Sequence, residues 1–395
     1  MVYMKISWRG RMRRGNSSIE LKRLNRNRVF RYINGCEKTT VPDIANTLGM
    51  SVPTALQMVK ELKNFGLVEE VGEFQSTGGR KAKAIGVVKS ACYVVGIDIT
   101  RNHISMVLTD LSQKILRHIR VRKIFKHEES YYKEIGDMLS VFLKDYNLPE
   151  GKISSVGIAV PAIVDSNQNH ISYSHALDLR DVSLEKYLFH IPYPCVVLND
   201  AKAAVMTEYI GRKSFGNIVY LSLSNTVGGA IVMGMNSWVS EEHAANLFMG
   251  DNWRSGEFGH MTIHPEGKRC YCGKQGCLDA YCSAHNLSQH TDGNLELFFY
   301  EMEQGNKEYQ MVWEEYLENL SFAVDNLRMS FDSDVILGGY VGNQMGPYIK
   351  RFRKRVARKN IFGNTGEYVK ECRYLAEASA LGAAIYHIEK FISSI

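Results

Sequence analysis

The chain has 395 residues, of which 45% are apolar and 23% are charged. Because domains commonly span ~100–200 residues, two or three folded units are expected, and this composition excludes a disordered chain and a disulfide scaffold. No run approaches the ~20 apolar residues of a membrane helix, so we expect a cytoplasmic protein without a membrane partner.

The net charge of +6 is distributed unevenly along the sequence. Residues 1–90 hold 17 Lys and Arg against 7 Asp and Glu, a balance of +10, whereas the remaining residues hold 31 against 35. A polyanion partner is therefore predicted at the N-terminal end only. Residues 1–20 are interpreted as a basic tail, and whether this tail has a function is left open.

Three segments with helical apolar spacing follow, separated by turns at Gly35 and Gly49. They predict helices over 27–34 and 41–48, and a third helix that begins after the N-cap residue Ser51. In the third segment, Ala55, Leu56, Val59, Leu62 and Leu67 are predicted to form the inward-facing apolar stripe.

Two strands, over 67–74 and 84–88, are predicted to flank a glycine-rich basic tip. Residues 21–90 therefore fit a winged helix-turn-helix domain that binds DNA, and the alternative is a dimerisation or capping module. The basic excess favours DNA. The candidate DNA-contacting residues are Ser51, Thr54, Gln57, Lys60, Arg80 and Lys81.

From Tyr93 onward, β-branched strands alternate with helices, which predicts an α/β body over 91–395. A hairpin begins at Tyr93, a second strand ends at Pro161, and a third runs into Asn199 and Asp200 at a helix entrance. Polar residues at such a strand end are a usual place for ligand chemistry.

Three cysteines, Cys270, Cys272 and Cys277, have metal-ligand spacing within a glycine-punctuated loop. Zn²⁺ prefers four tetrahedral Cys and His ligands, and the fourth ligand here is His260 or His264. Four protein ligands leave no position for a reacting water, so the predicted Zn²⁺ is structural. The alternative is an unliganded cysteine cluster in a reducing compartment.

The motifs of the chain resemble those of the ROK family of repressors, open reading frames and kinases, from about residue 24 onward. Within the family, the chain is similar to the xylose and N-acetylglucosamine repressors. The resemblance rests on a wing-like segment at 76–80, a first phosphate motif at 96–98, a VPxxVD-like turn at 160–165, an NDA motif at 199–201, a GExGH motif at 256–260 and a CxCGxxGCL signature from Cys270.

The resemblance implies a two-lobed actin-like, ribonuclease H-like sugar kinase fold, with a zinc knuckle over 260–277. It implies His260 as the fourth metal ligand. It also implies that sugar hydroxyls are bound by Asn199, Asp200, Glu257, His260 and Asp279, the last of which stands where the family usually has glutamate.

Asp200 corresponds to the general base of the family's kinases, but the phosphate loops of this chain differ from theirs. Asp98 is followed by Ile99 and Thr100 where DxGGT is usual; the second loop reads Ser224-Asn225-Thr226 where glycines are usual. Tyr340 replaces the last glycine of a third loop. Together these changes predict that the kinase activity is lost and that Asp200 is a vestigial base.

The leading hypothesis is a sugar-responsive transcriptional regulator, a repressor of carbohydrate-utilisation genes, that binds operator DNA and a small-molecule sugar. Paired half-sites require two recognition helices, so a homodimer or a dimer of dimers is expected. The alternatives are an active ATP-dependent sugar kinase with an added N-terminal module, and a repressor whose body binds another protein. The effector, the direction of its effect and the operator are left open.

Overall fold

The computed structural model describes residues 14–74, 82–144, 146, 148, 152–209, 216–233, 247–363, 365–374 and 377–395. It divides into two compact units: residues up to Ala91 together with Phe391–Ile395, and Cys92–Lys390. The sequence did not predict that the five C-terminal residues group with the first unit. Within that unit, the side-chain amide of Asn27 donates to the carbonyl oxygen of Ser393 at 3.4 Å.

The first unit consists of three helices followed by an antiparallel hairpin. Its elements are α1 (Arg14–Asn34), α2 (Val41–Leu48), α3 (Val52–Asn64), β1 (Val68–Glu73) and β2 (Lys83–Val87). The structure corrects the predicted first helix, because α1 begins at Arg14 and includes part of the predicted tail. Residues 1–13 lie outside the described part of the chain.

Local capping explains where α2 and α3 begin and end. The Thr40 side chain accepts the backbone N–H of Asp43, and Gly49 ends α2 in the left-handed region with φ of 63°. The Ser51 hydroxyl accepts the backbone N–H of Thr54 at 3.2 Å and so caps α3. These contacts confirm the predicted boundaries, because each satisfies backbone groups that a helix end leaves unpaired.

The buried stripe of α3 differs from the predicted one at two positions, because Met58 takes the place expected for Leu56. Ala55, Met58, Val59 and Leu62 are buried, whereas Leu56 is 55% exposed. The prediction that Leu56 faces inward is therefore wrong. The buried set follows the i, i+3, i+4, i+7 spacing of one helical face, and position 56 lies outside it.

Within the described residues, the second unit is built from thirteen strands and ten helices, the last of which runs on into the residues that group with the first unit. The strands are β3 (Tyr93–Ile99), β4 (His103–Asp110), β5 (Ile115–Arg122), β6 (Ile153–Val160), β7 (Ile163–Asp165), β8 (His170–Ser174), β9 (Leu179–Ser183), β10 (Cys195–Asn199), β11 (Ile218–Leu223), β12 (Val227–Val232), β13 (Leu247–Phe248), β14 (Asp334–Gly338) and β15 (Val369–Glu371). The helices are α4 (Glu129–Lys144), α5 (Glu185–Leu188), α6 (Asp200–Met206), α7 (Asp279–Cys282), α8 (His285–Ser288), α9 (Leu295–Glu303), α10 (Lys307–Phe331), α11 (Gly339–Gly342), α12 (Ile349–Ala357) and α13 (Ala378–Ser394).

Two five-stranded sheets of this unit repeat the same plan. The first has the order β10-β6-β3-β4-β5 and the second the order β15-β14-β11-β12-β13. In each sheet a central strand pairs antiparallel with the next strand along the chain and parallel with a later one. The strands β7, β8 and β9 form a small third sheet. The predicted α/β body is confirmed as mixed sheets with helices.

Close backbone contacts fix α13 against the first sheet of this unit. A Cβ atom added to Gly96 on β3 would lie 1.7 Å from the carbonyl oxygen of Ala380, and one added to Gly157 would lie 2.2 Å from that of Ala383. Only glycine permits such an approach. The alanine-rich start of α13 therefore packs directly on the strands that end at the candidate site.

Among the described helices, none combines the length and the apolar character needed to cross a membrane.

Candidate functional site

A polar cavity of about 80 Å³ opens in the second unit where strands from both five-stranded sheets end. Asp98 lies in β3 near its end, and Asp200 begins α6 directly after β10. The turn between β11 and β12 and the start of α11 at Gly339 complete the lining. The repeated sheet plan thus brings strand ends that are far apart in sequence to one cavity, the usual position of ligand sites in α/β folds.

Two carboxyl groups, those of Asp98 and Asp200, face this cavity. Burial raises the pKa of both to about 7; repulsion from Asp200 adds to the shift at Asp98, and Arg120 opposes it. The Oδ1 atom of Asp98 has no hydrogen-bond partner within the described residues. A buried acceptor without a partner is costly, so the cavity is suited to a ligand that donates hydrogen bonds.

The loops that differ from the family's phosphate loops converge on the same cavity. Thr100 and Arg101 line it after β3, and the turn 224–226 lines it between β11 and β12. Tyr340 lines it from α11, and the guanidinium of Arg120 lies 5.9 Å from the centre of its ring. A bulky aromatic side chain therefore occupies space beside the two carboxyl groups.

Asn199 has its side chain engaged in local structure. Its Oδ1 accepts the backbone N–H of Lys202 and caps α6, while its Nδ2 donates to the carbonyl oxygen of Ala162. These bonds explain why the β10–α6 junction is fixed. Sugar binding by Asn199 stays a prediction, and one amide proton remains for it.

Glu257 lies close enough to Asp200 and Lys202 for their charges to interact. The charge of Glu257 raises the pKa of Asp200, and the charge of Lys202 lowers the pKa of Glu257. Burial raises the pKa of Glu257, opposed by Lys202 and Arg254, and burial lowers the pKa of Lys202 to about 8. The ammonium group of Lys202 is buried and donates to the carbonyl oxygen of Trp253 at 2.7 Å. Sugar binding by Glu257 stays a prediction beside this buried cation.

Four predicted metal ligands lie together, namely His260, Cys270, Cys272 and Cys277, with all ligand atoms within 4.8 Å of one another. The Sγ atoms of Cys272 and Cys277 are 3.7 Å apart, and the Sγ of Cys270 is 3.7 Å from Nδ1 of His260. A tetrahedral site with Zn–S bonds of ~2.3 Å needs ligand separations of roughly 3.5–3.8 Å. The cluster therefore fits a four-coordinate metal.

His264, the second histidine that the spacing allowed, lies elsewhere. Its Nε2 is 2.7 Å from Oδ1 of Asn319, and it is not part of the cluster. The other ring nitrogen of His260, Nε2, lies 3.4 Å from the hydroxyl of Tyr271. Tyr271 in turn stacks on His175 with ring centres 3.9 Å apart. This second nitrogen of His260 already has the Tyr271 hydroxyl as a partner, and sugar binding by His260 stays a prediction.

Asp279 is buried behind the second altered loop. Its Oδ2 accepts the backbone N–H of Val227 at 2.6 Å, and burial raises its pKa to about 6, opposed by that bond. Asp279 begins α7, only two residues after the metal-ligand candidate Cys277. It therefore anchors the start of β12 to the cysteine loop, and a sugar contact by Asp279 stays a prediction.

The predicted DNA-contacting residues lie in the first unit. Gln57 and Lys60 are exposed on α3, whereas the hydroxyls of Ser51 and Thr54 bond to each other at 2.8 Å at its N-terminus. Arg80 and Lys81 lie outside the described residues. Three of the four described residues thus lie on α3 and Ser51 caps it, and their contact with DNA stays a prediction.

Sequence reasoning missed Arg120, Lys202 and Tyr271. Arg120 lies on β5, where its position opposite the carboxyl groups depends on strand pairing and leaves no local pattern. A signal did exist for the other two, because Lys202 follows the NDA motif directly and Tyr271 lies between two of the candidate metal-ligand cysteines.

A sequence profile of the ROK family matches residues 94–390. The chain is 29% identical over 277 residues to the xylose repressor of Bacillus spizizenii, an alignment that covers 68% of this chain and 67% of that protein.

Two of the solved structures that are similar in three dimensions are a regulator and a kinase. A ROK family transcriptional regulator, a homologue of the Escherichia coli MLC protein, has a TM-score of 0.72 and 18% identity, covering 95% of this chain and 98% of that one. A ROK family glucokinase from Streptomyces griseus, in complex with glucose and AMPPNP, has a TM-score of 0.58 and 24% identity, covering 74% and 98%. A regulator and a sugar kinase thus share this fold.

Proposed function

The chain belongs to the ROK family, and from this membership we propose that it is a sugar-responsive transcriptional regulator, in the simplest case a repressor of carbohydrate-utilisation genes. The first unit acts as a winged helix-turn-helix that binds operator DNA, and the second binds a sugar. The likeness to a xylose repressor over two thirds of both chains supports this assignment.

The altered phosphate loops are the observation that carries the proposal. Phosphoryl transfer needs backbone N–H groups that approach the phosphates closely, which is why glycines serve there. In this chain Arg101, the turn 224–226 and Tyr340 line the cavity beside Asp98 and Asp200. The body therefore keeps carboxyl groups that can bind a polyol but lacks the cradle for a nucleotide, and it is a non-catalytic effector domain.

The four-residue cluster holds a structural Zn²⁺ in this proposal. His260, Cys270, Cys272 and Cys277 supply four ligands, so the metal would cross-link the loop and would have no open position for a reacting water. Through Asp279, the same loop is bonded to the start of β12, which borders the cavity. The metal site thus supports the wall of the ligand site.

Ligand control requires that the sugar binds one arrangement of the protein better than another, since equal affinity shifts no equilibrium. We expect the protein to work as a homodimer or a dimer of dimers, because two half-sites about one helical turn apart require two copies of α3.

The test measures operator binding by the full-length, zinc-loaded protein. Fluorescence anisotropy reports its binding to promoter fragments from its own genomic neighbourhood. We expect a dissociation constant of about 10⁻⁸ M or lower at moderate salt. One member of a panel of xylose, glucose, N-acetylglucosamine and their phosphates is expected to change that constant by about 5–150-fold. Glu257→Gln is expected to keep operator binding and to weaken the sugar response.

Failure to bind any such fragment would contradict the proposal, and so would binding that is indifferent to every sugar. If no sugar shifts the melting temperature either, the results would favour a body that binds another protein.

An active sugar kinase is the second candidate, favoured by the retained Asp200, whose pKa of about 7 suits a general base. It predicts sugar-dependent ATP consumption that is lost in Asp200→Asn. Consumption at ~1–100 s⁻¹, the range of ordinary kinases, would overturn the assignment of a non-catalytic body.

A further inference from the structure

The exposed face of α3 carries two aliphatic side chains that no buried contact explains. Val52 is 50% exposed and Leu56 is 55% exposed. They are one helical turn apart and therefore lie side by side on the same face. The opposite face of the helix is complete without them, since Ala55, Met58, Val59 and Leu62 form its buried stripe.

A single exposed leucine carries no meaning, because most surfaces contain some. Here the aliphatic pair adjoins two exposed polar residues of the same helix, Gln57 and Lys60. Gln57 donates to Glu61 at 3.3 Å, and Lys60 has no ion-pair partner within the described residues. The face therefore combines a methyl-bearing surface, an amide and a free cation within about two turns.

Charge complementarity identifies the occupant of this face. Residues 1–90 carry a balance of +10, so the unit attracts a polyanion. A second copy of this chain carries the same basic excess in this unit and would therefore satisfy the apolar pair alone. Duplex DNA satisfies both, because its phosphates are anionic and its major groove carries one apolar group, the C5 methyl of thymine.

Gln57, the residue next to Leu56, carries an amide that suits one particular base. Glutamine can bond to the N6 and N7 atoms of adenine with both ends of its amide, and aliphatic side chains contact the thymine methyl. By contrast, the hydroxyls of Ser51 and Thr54 are engaged with each other at the helix N-terminus. The side chains that remain available for contact with bases are therefore those on the exposed face of α3 beyond its cap.

We propose that Val52 and Leu56 contact thymine methyl groups in the major groove, with Gln57 on a neighbouring adenine, so that each half-site contains an A·T-rich core. This inference rests on the proposed DNA-binding function. It assigns base specificity to two residues that the sequence pattern did not select.

The experiment begins with selection of duplexes from a random library by the full-length, zinc-loaded protein. In the selected duplex, each thymine is replaced in turn by deoxyuridine, which lacks only the C5 methyl. For the wild-type protein, we expect one or two positions in each half-site where this replacement weakens binding about three- to fivefold, as the loss of one buried methyl implies.

Leu56→Ser should weaken binding of the thymine duplex and should remove the sensitivity to deoxyuridine at one of these positions. Leu24→Ser is the matched control, because Leu24 is an exposed leucine of the same unit, 48% exposed, on α1. It should leave both measurements unchanged. Melting curves of both variants check that the unit remains folded.

The outcomes separate this inference from the function on which it rests. If no duplex is selected, the proposed DNA-binding function fails. If a duplex is selected but the wild-type protein is insensitive to deoxyuridine at every position, the DNA-binding function stands and the inference is overturned. Self-association that Leu56→Ser abolishes, together with such insensitivity, would assign the face to contact between copies of this chain.

Discussion

Asp98 and Asp200 place two carboxyl groups at one cavity, and burial raises the pKa of both to about 7. Between the ordinary aspartate pKa of 3.8 and this value, the native protein binds more protons than the unfolded chain. The free energy of unfolding therefore falls as the pH rises through this window.

We expect Asp98→Asn to raise the melting temperature at pH 8 by about 2–4 °C and to flatten its decline between pH 5 and pH 8. The amide cannot ionise and so avoids the cost of a buried charge beside Asp200. Differential scanning fluorimetry across this pH range measures the effect. Asp251→Asn, at an exposed position, is the control; an unchanged slope in Asp98→Asn would contradict the assignment.

Cys272 is an exposed member of the four-residue cluster, so its loss removes a ligand without opening a core cavity. We expect Cys272→Ser to bind less than one zinc per chain by elemental analysis and to melt roughly 5 °C or more below the wild type. The chelator 1,10-phenanthroline should destabilise the wild type by a similar amount.

Cys36→Ser is the control for this zinc prediction, because Cys36 lies outside the cluster and should keep both the metal and the melting temperature. Full zinc content in Cys272→Ser would show that the cluster is not the metal site.

At the scale of single residues, the sequence predicted what local spacing determines. The cysteine spacing gave the metal cluster, and the choice between His260 and His264 came from the resemblance rather than from the spacing. The position of Arg120 opposite Asp98 could not be predicted, because it arises from pairing between strands.

At the scale of elements, the turn between α2 and α3 depends on the left-handed conformation of Gly49, with φ of 63°. No atom lies within 4 Å of a Cβ built there, so substitution tests the backbone conformation alone. We expect Gly49→Ala to reduce the stability of the first unit by about 1 kcal/mol. Hydrogen exchange of the α2 and α3 amides measures it.

Gly35→Ala is the matched control for the α2–α3 turn. A Cβ on Gly35 would meet only ordinary contacts of 3.5 Å or more, and its φ lies outside the left-handed region. Equal destabilisation by the two variants would contradict the role given to Gly49.

The contact between β3 and α13 depends on Gly96. A Cβ there would lie 1.7 Å from the backbone oxygen of Ala380, so a shift of the helix or the strand is unavoidable. We expect Gly96→Ala to cost about 3 kcal/mol or more in the free energy of unfolding by urea. Gly228→Ala should be tolerated, because the nearest atom to its Cβ would be 3.6 Å away. Similar losses in both variants would contradict this packing argument.

Element boundaries were predictable where caps determine them, as at Thr40, Gly49 and Ser51. The buried face of α3 could not be predicted in full, because Met58 and Leu56 are both apolar and only tertiary packing decides which of them is buried. The length of α1 was missed for a related reason: the helix begins in a basic segment, and none of residues 19–24 is buried, so this part has no apolar stripe to produce a helical pattern.

At the scale of the whole molecule, the alternation of strands and helices predicted an α/β body, and the two repeated sheets confirm it. The sequence could not predict that residues 391–395 group with the first unit, because contacts between the two chain ends leave no local pattern. Candidate sugar and DNA residues therefore lie in different units, so ligand control requires a free-energy coupling between two sites.

We expect this coupling to be reciprocal. If a sugar weakens operator binding by a given factor, saturating operator must weaken sugar binding by the same factor, because the four binding states form a closed thermodynamic cycle. Anisotropy gives the operator constant with and without the sugar, and calorimetry gives the sugar constant with and without the operator duplex. The carboxyl of Glu257 interacts with Lys202 in the second unit, and the substitution Glu257→Gln should reduce both effects together. Unequal factors in the two directions would instead indicate that the ligand changes the assembly state, and would contradict a single equilibrium between two arrangements of one dimer.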